Sequence, residues 1–192
     1  MSAAMAWGAG LRLYLVVFVV GMLGKFGYVP LPETLKILTN PVVLGAAGFM
    51  SFIEFFADKI PWLDSLWDAV HTFLRIPAGA ALAAGMLGDS GEGVALAAAI
   101  IGGTLTAGTH FGKAGTRAAV NTSPEPFTNI GVSIAEDAAV AGGLALAITH
   151  PLLFLALLAV VIAALVYLIR FILRGLHIAI ARMPFRRSSV TP

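Results

Sequence analysis

The chain contains no cysteine, which excludes disulfides and thiolate metal sites. It is also poor in charge. Asp, Glu, Lys and Arg make up 11% of its 192 residues, against about 25% in a soluble domain. So few charges do not coat a water-facing surface, and a water-soluble globule is excluded. No nucleophile elbow, P-loop or dinucleotide fingerprint is present. Nucleic-acid binding has no support, because the basic tail is short and fits membrane topology better. What remains is apolar: 59% of residues are hydrophobic and the mean hydropathy is +0.93. That composition belongs to a polytopic membrane protein whose first partner is the lipid bilayer.

Apolar runs separated by proline and glycine predict an all-α transmembrane bundle of about six spans with proline-broken helices. One domain covers residues 1–174 and a basic cytoplasmic tail covers 175–192. Span one, about 7–28, is too long for a signal peptide and lacks a clear cleavage site, so it reads as retained. Its Gly21, Gly24 and Gly27 recur every three residues and allow another helix to approach closely. Span two covers about 41–57, and span three covers 61–88 with a kink at Pro77. Span four covers 94–119, with Gly108 and Gly112 as a close-packing pair. Spans five and six cover about 130–149 and 152–173. Breaks fall near Pro61, Pro77 and Ser123–Pro126, and the loop NTSPEPFTN (121–129) is long enough to re-enter or cap the bundle. Arg170, Arg174, Arg182, Arg186 and Arg187 follow without an acid, which places the tail in the cytoplasm by the positive-inside rule. Six crossings put the amino terminus there too. The glycine-rich faces permit a homo-oligomer.

Against this apolar background one stretch stands out: EFFADKIPWLDSLWDAVHTFLRIP, from Glu54 to Pro77. Glu54 and Asp58 lie one helical turn apart on one face. Asp64, Asp68, His71 and Arg75 follow at i, i+4, i+7 and i+11, an ionisable stripe opposite an apolar one. His110, Lys113 and Arg117 share a face late in span four, and Glu136 and Asp137 interrupt span five. For Asp64, Asp68 and Arg75 the plain alternative is an interfacial amphipathic helix with its charges among the headgroups. Glu54 follows an unbroken apolar run, and Glu136–Asp137 have apolar sequence on both sides, which argues against that alternative for them.

At these residues the chain resembles the uncharacterised bacterial integral membrane proteins described as domain of unknown function 4126. The matching stretches are EFFADKIPWLDSLWDAVHTFLRIPAGA (54–80), KAGTRAAVNTSPEPFTN (113–129), SIAED (133–137) and HP (150–151). The resemblance covers roughly residues 11–173. It implies a bacterial inner-membrane location and implies no activity.

A charged group at bilayer depth costs about 2.5–3.5 kcal/mol, so these side chains must be paired, protonated, hydrated or metal-bound. Glu54, Asp58, Asp64, Asp68, His71, Glu136 and Asp137 are the candidate substrate or proton pathway. Lys59, Arg75, Lys113 and Arg117 are the candidate counter-ions, and Asn121, Ser123 and Glu125 the loop contribution. His110 and His150 are candidate proton relays. Trp62 and Trp67 read as interface anchors. Leaving out Asp89 and Glu92 of the outer turn, seven acids from Glu54 to Asp137 face four bases. Pairing consumes the bases and leaves carboxylates over, which favours protons or cations above anions. A lone Asp68-x-x-His71 is a weak metal signal amid four bases, and no metal or cofactor is expected. The expected function is a transporter or channel for a small ion or solute. Its alternatives are a lipid or lipid-phosphate translocase working through the basic cluster, and a non-transporting scaffold locked together by charge. A membrane-embedded enzyme comes last, because no catalytic motif is recognised.

Overall fold

In lipid an apolar chain must satisfy its own backbone, and a helix does so locally. The structure, a computed structural model, describes residues 1–122 and 126–182. Among them the long elements are all helical: α1 (Ser2–Lys25), α2 (Pro41–Ala57), α3 (Leu63–Met86), α4 (Glu92–Val120), α5 (Pro126–Thr149) and α6 (Pro151–Arg182). Two 3-10 helices, Glu33–Thr39 and Gly88–Ser90, lie between them. Proline opens α2, α5 and α6, where its missing N–H costs nothing. Asn40 caps α2 by accepting the Val42 N–H at 2.8 Å. The chain divides into two compact units, Met1–Phe154 and Leu155–Pro192. All the candidate site residues described lie in the first unit.

By length and composition three helices qualify as membrane spans: Ser2–Lys25, Glu92–Val120 and Phe127–Thr149. A fourth qualifies if Glu33–Thr39 and Pro41–Ala57, bent by 66°, count as one broken span. The segment before α2, expected as a plain loop, is therefore partly helical.

The first of these helices is not straight. Its backbone breaks at Arg12 (φ −145°, ψ 77°) without a proline. A Cβ built on Gly8 would lie 2.8 Å from Val16 Cγ2, although eight residues of straight helix rise about 12 Å. The two arms, residues 2–11 and 13–25, thus fold back on each other about Arg12. Ser2 Oγ, at the start of the first arm, donates to Ala83 C=O at 3.0 Å. Near the end of the second arm, a Cβ on Gly21 would overlap Leu38 C=O and one on Gly24 would overlap Leu31. That 3-10 segment is in turn tied to α3 by Thr34 Oγ1 donating to Gly85 C=O at 2.6 Å. Both ends of α1 therefore reach the carboxyl end of α3, and Arg12 is the tip. Arms of roughly 15 and 20 Å do not cross about 30 Å of hydrocarbon. So α1 does not supply the first of six crossings. The glycines of its second arm admit Leu44 of α2 as well as Leu31 and the 3-10 segment.

Two further expectations change. First, α3 continues through Pro77 without interruption. Gly79 and Ala83 press against Thr106 and Gly102 of the antiparallel α4, with no room for a Cβ on either glycine; this seam packs the half of α3 that follows Pro77. The close approach on α4 is at Gly102, whereas a Cβ on Gly108 would meet open space. Second, the break between α2 and α3 is a turn that includes Pro61, and α3 begins only at Leu63. Trp62 turns the chain at φ 72°, ψ −37°, a conformation costing about 1–3 kcal/mol in a non-glycine residue. It is 72% exposed. The break expected at Ser123–Pro126 lies mostly outside the described residues.

The absence of native cysteine gives the bend of α1 a direct test. Single cysteines at Ser2 and Tyr28 are expected to react with an impermeant maleimide from the same side of the membrane. Labelling from opposite sides would mean that α1 crosses, and the folded-back reading would be lost.

Candidate functional site: a buried ion network

The ionisable stripe of α3 faces inward. Asp64 and Arg75 are 0% exposed and Asp68 is 2% exposed, so these groups face the interior of the bundle and not an open polar surface. Around them gather Glu54 and Asp58 from the end of α2, Lys113 and Arg117 from α4, Glu136 and Asp137 from α5, Lys59 from the α2–α3 break, and Arg12. Eleven unpaired charges at about 3 kcal/mol each would cost roughly 30 kcal/mol, more than the 5–15 kcal/mol by which a fold is usually stable. Pairing is a condition of folding here.

Asp58 is the meeting point. Its Oδ2 lies 2.7 Å from Arg12, 2.6 Å from Lys113 Nζ and 3.9 Å from Arg117. Arg12 then spreads its donors: to Ser133 Oγ at 2.9 Å, to Glu54 C=O at 3.3 Å and toward Asp137 at 3.0 Å. Arg117 pairs with Glu136 at 2.7 Å and donates to Asp58 C=O at 2.9 Å and to the Asn129 side chain. On the other side Arg75 joins Glu54 (2.6 Å) and Asp68 (2.7 Å). Lys113 links the two halves, since it also lies 3.3 Å from Asp68. It takes the Leu11 carbonyl too, at 3.1 Å, next to the break in α1. Lys59 sits over the Phe55 ring, 3.0 Å from its centroid, and 3.8 Å from Asp137. Burial lowers its ammonium from the ordinary lysine range, against the opposing pull of Asp137.

The histidines separate. His110 is buried, with Nδ1 3.3 Å from Arg75 and Nε2 2.7 Å from Thr72 Oγ1. Arginine has only protons to give, so Nδ1 accepts and Nε2 carries the proton. Thr72 passes its own proton to Asp68 C=O at 2.9 Å. His110 is thereby a neutral ring within a chain of hydrogen bonds. His71 Nδ1 points to Trp67 C=O at 2.8 Å, and its ring stacks on the Trp67 indole at 4.0 Å. Trp67 thus packs on a site residue instead of anchoring at an interface. His150 lies exposed beside Thr149 at the α5–α6 junction, with no tie to the network among the described residues. Asn121 donates to Asp64 and Ser65, both at 2.9 Å. Ser123 and Glu125 lie outside the described residues. Asp68 gives an oxygen to Arg75 and Lys113, and among the described residues no group of three or more His, Asp or Glu has metal-holding geometry.

Sequence reasoning missed Arg12, Thr72, Asn129 and Ser133. Arg12 was legible in principle: it sits inside an apolar run, and an ionisable residue there marks a site by default. The other three are neutral polar residues that no pattern distinguishes from helix-surface hydroxyls and amides. With Arg12 included, and Glu125 outside the described residues, six carboxylates (Glu54, Asp58, Asp64, Asp68, Glu136, Asp137) face five cations (Arg12, Lys59, Arg75, Lys113, Arg117).

A cleft of about 270 Å³ reaches this network, lined by Arg12 and Leu15 of α1, Ser51, Glu54 and Phe55 of α2, and Asp137 and Ala141 of α5. Glu54 is 1% exposed, and its Oε2 has no hydrogen-bond partner among the described residues.

Apolar helices enclosing a buried charge network define this chain as an integral membrane protein of the all-helical class. It belongs to the family described as domain of unknown function (DUF4126), whose model matches residues 1–171. No curated protein and no solved structure matches the chain.

Removing Arg12 takes the nearest cation from Asp137, leaves Asp58 with Lys113 and the more distant Arg117, and leaves the buried network one cation short. Arg12→Ala is expected to cost about 3–5 kcal/mol, seen as a large fall in melting temperature in detergent. Arg12→Lys is expected to recover less than half, since one ammonium does not span the guanidinium's partners. Lys36→Ala, breaking the exposed Lys36–Glu33 pair, is expected to stay within about 1 kcal/mol. An Arg12→Ala protein that melts like wild type would remove Arg12 from its central role.

Proposed function

We propose that the protein is a membrane transporter or channel that carries protons or a small cation through the carboxylate cluster. The cleft carries this reading: it leads to Glu54 and Asp137, and Glu54 is buried with one oxygen unpartnered among the described residues. The charge balance supports it. Six carboxylates against five cations leave room for one more positive charge, which a proton or monovalent cation supplies. Bound charge at Glu54 competes with Arg75, which also holds Asp68, so occupancy is coupled to the α3–α4 half of the network. We place the α2–α3 and α4–α5 junctions at the cytoplasmic face of the plasma membrane, in keeping with Lys59 and Arg117 near them. The folded-back α1 then puts the amino terminus on the opposite side.

One observation favours a second reading, the non-transporting scaffold: each of the five cations already lies within 4.0 Å of a carboxylate. The same observation weakens the lipid-phosphate translocase, because an incoming phosphate would have to displace a carboxylate from its partner.

Flux measured in proteoliposomes separates these readings. The panel covers protons, monovalent cations, divalent cations and small anions. Wild type is expected to conduct a proton or cation, and Glu54→Gln to reduce that flux at least tenfold while remaining folded. Glu33→Gln, in the exposed pair with Lys36, is expected to leave it unchanged. Absence of flux for every ion would turn the assignment to the scaffold.

A further inference from the structure

The walls and the floor of the cleft differ in chemistry, and the difference selects a ligand. Leu15, Phe55 and Ala141 make apolar walls, and Phe55 and Ala141 are exposed on the outer surface of the bundle. The floor holds Glu54, Asp137 and Arg12. Arg12 is committed to Asp58, Ser133 and Asp137, so the floor offers acceptors and few donors. Glu54 receives Arg75 on Oε1 at 2.6 Å, while its Oε2 is buried and lacks a partner among the described residues. A buried acceptor left unsatisfied costs about 1–3 kcal/mol, which a ligand N–H would recover.

Three cation types can be compared. A bare metal ion of the hard class needs about six oxygens, and the floor supplies Glu54, Asp137 and the Ser51 hydroxyl. A quaternary ammonium carries charge but no N–H for Oε2. A protonated primary amine supplies both charge and donors. An apolar body attached to it matches the walls and allows entry from the hydrocarbon side. At about 30 Å³ per water, 270 Å³ is the space of about nine waters, enough for one ring on a short chain.

We infer that the cleft between α1, α2 and α5 binds a primary ammonium borne on an apolar body, its N–H donated to Glu54 and its charge shared with Asp137. This rests on the carboxylate-pathway reading above and names the class of substrate that the pathway takes.

The probe is phenethylamine, titrated calorimetrically at pH 7 into the full-length protein in detergent. Saturable binding is expected to wild type, with at least tenfold weaker binding by 2-phenylethanol and by the trimethylated quaternary analogue. Glu54→Gln is expected to weaken binding at least tenfold. Ala141→Phe fills the cleft without touching an ionic partner, so it keeps the test open if Glu54→Gln does not fold; it is expected to abolish binding. No saturable binding to folded wild type would overturn the inference, as would an Ala141→Phe protein that binds like wild type. Cation flux lost in Glu54→Gln without any amine binding would refute this ligand class and leave the pathway standing. Amine binding without flux of any ion or of the amine would refute the pathway and leave the binding site.

Discussion

A charge placed in hydrocarbon must find its opposite, and the structure around Asp58 follows from that requirement. Helices α1 and α4 meet where Arg12, Lys113 and Arg117 converge on this one carboxylate, which closes α2. Because the site is nearly sealed from water, the attraction between these groups is not diluted as it is at a surface. The same seal makes each of them costly to leave alone. The network therefore acts as a constraint on helix position as much as a sum of contacts. Where hydrophobic burial is weak as a guide to packing, since lipid is as apolar as leucine, charge specifies register.

That constraint explains the shape of α1. A helix continuing through Arg12 would carry the guanidinium on a straight rod past its partners. The break at Arg12 instead turns the side chain into the angle between the two arms, where it meets acids from α2 and α5. Small residues make the fold-back physically admissible. Gly8 lets Val16 approach, and Gly10 leaves no space for a Cβ against Thr109 of α4. Thr106 and Thr109 donate to the Ala6 and Trp7 carbonyls at 2.8 and 3.2 Å, so α4 holds the first arm by its backbone. The arrangement couples the floor of the cleft to the α3–α4 seam through Lys113, the cation common to both halves. A change of charge at Glu54 would be felt at Asp68 through Arg75.

Much of this was legible from residues alone. Helices α2 to α5 follow the apolar runs and their proline boundaries to within four residues, because a 3.6-residue period and a missing N–H act locally, while α6 runs nine residues past its expected end. The inward stripe of α3 was legible as well, since Asp64, Asp68, His71 and Arg75 share a face by spacing. Failures came where a distant contact overrides a local rule. Pro77 promised a break, and α3 runs through it, packed by Gly79 and Ala83 against α4. Gly21 and Gly24 promised a helix partner; Gly21 met Leu44 of α2, and both also met the chain before it, at Leu38 and Leu31. Arg12 marked a site without naming its partners, because an isolated arginine in an apolar run does not say which of several acids it will meet.

The amino-acid sequence by itself determined that the chain is a helical membrane protein with charge inside it. Hydropathy, proline placement and helical spacing are properties of neighbours along the chain, and they act before any long-range contact forms. Only the tertiary structure decided which acid meets which base, that α1 folds back at Arg12, and that a cleft reaches Glu54 and Asp137. Those outcomes depend on distances between residues tens of positions apart, such as Arg12 and Ser133 or Asp58 and Lys113. In a low-dielectric interior a few ångströms separate a paired charge from one that the fold does not tolerate.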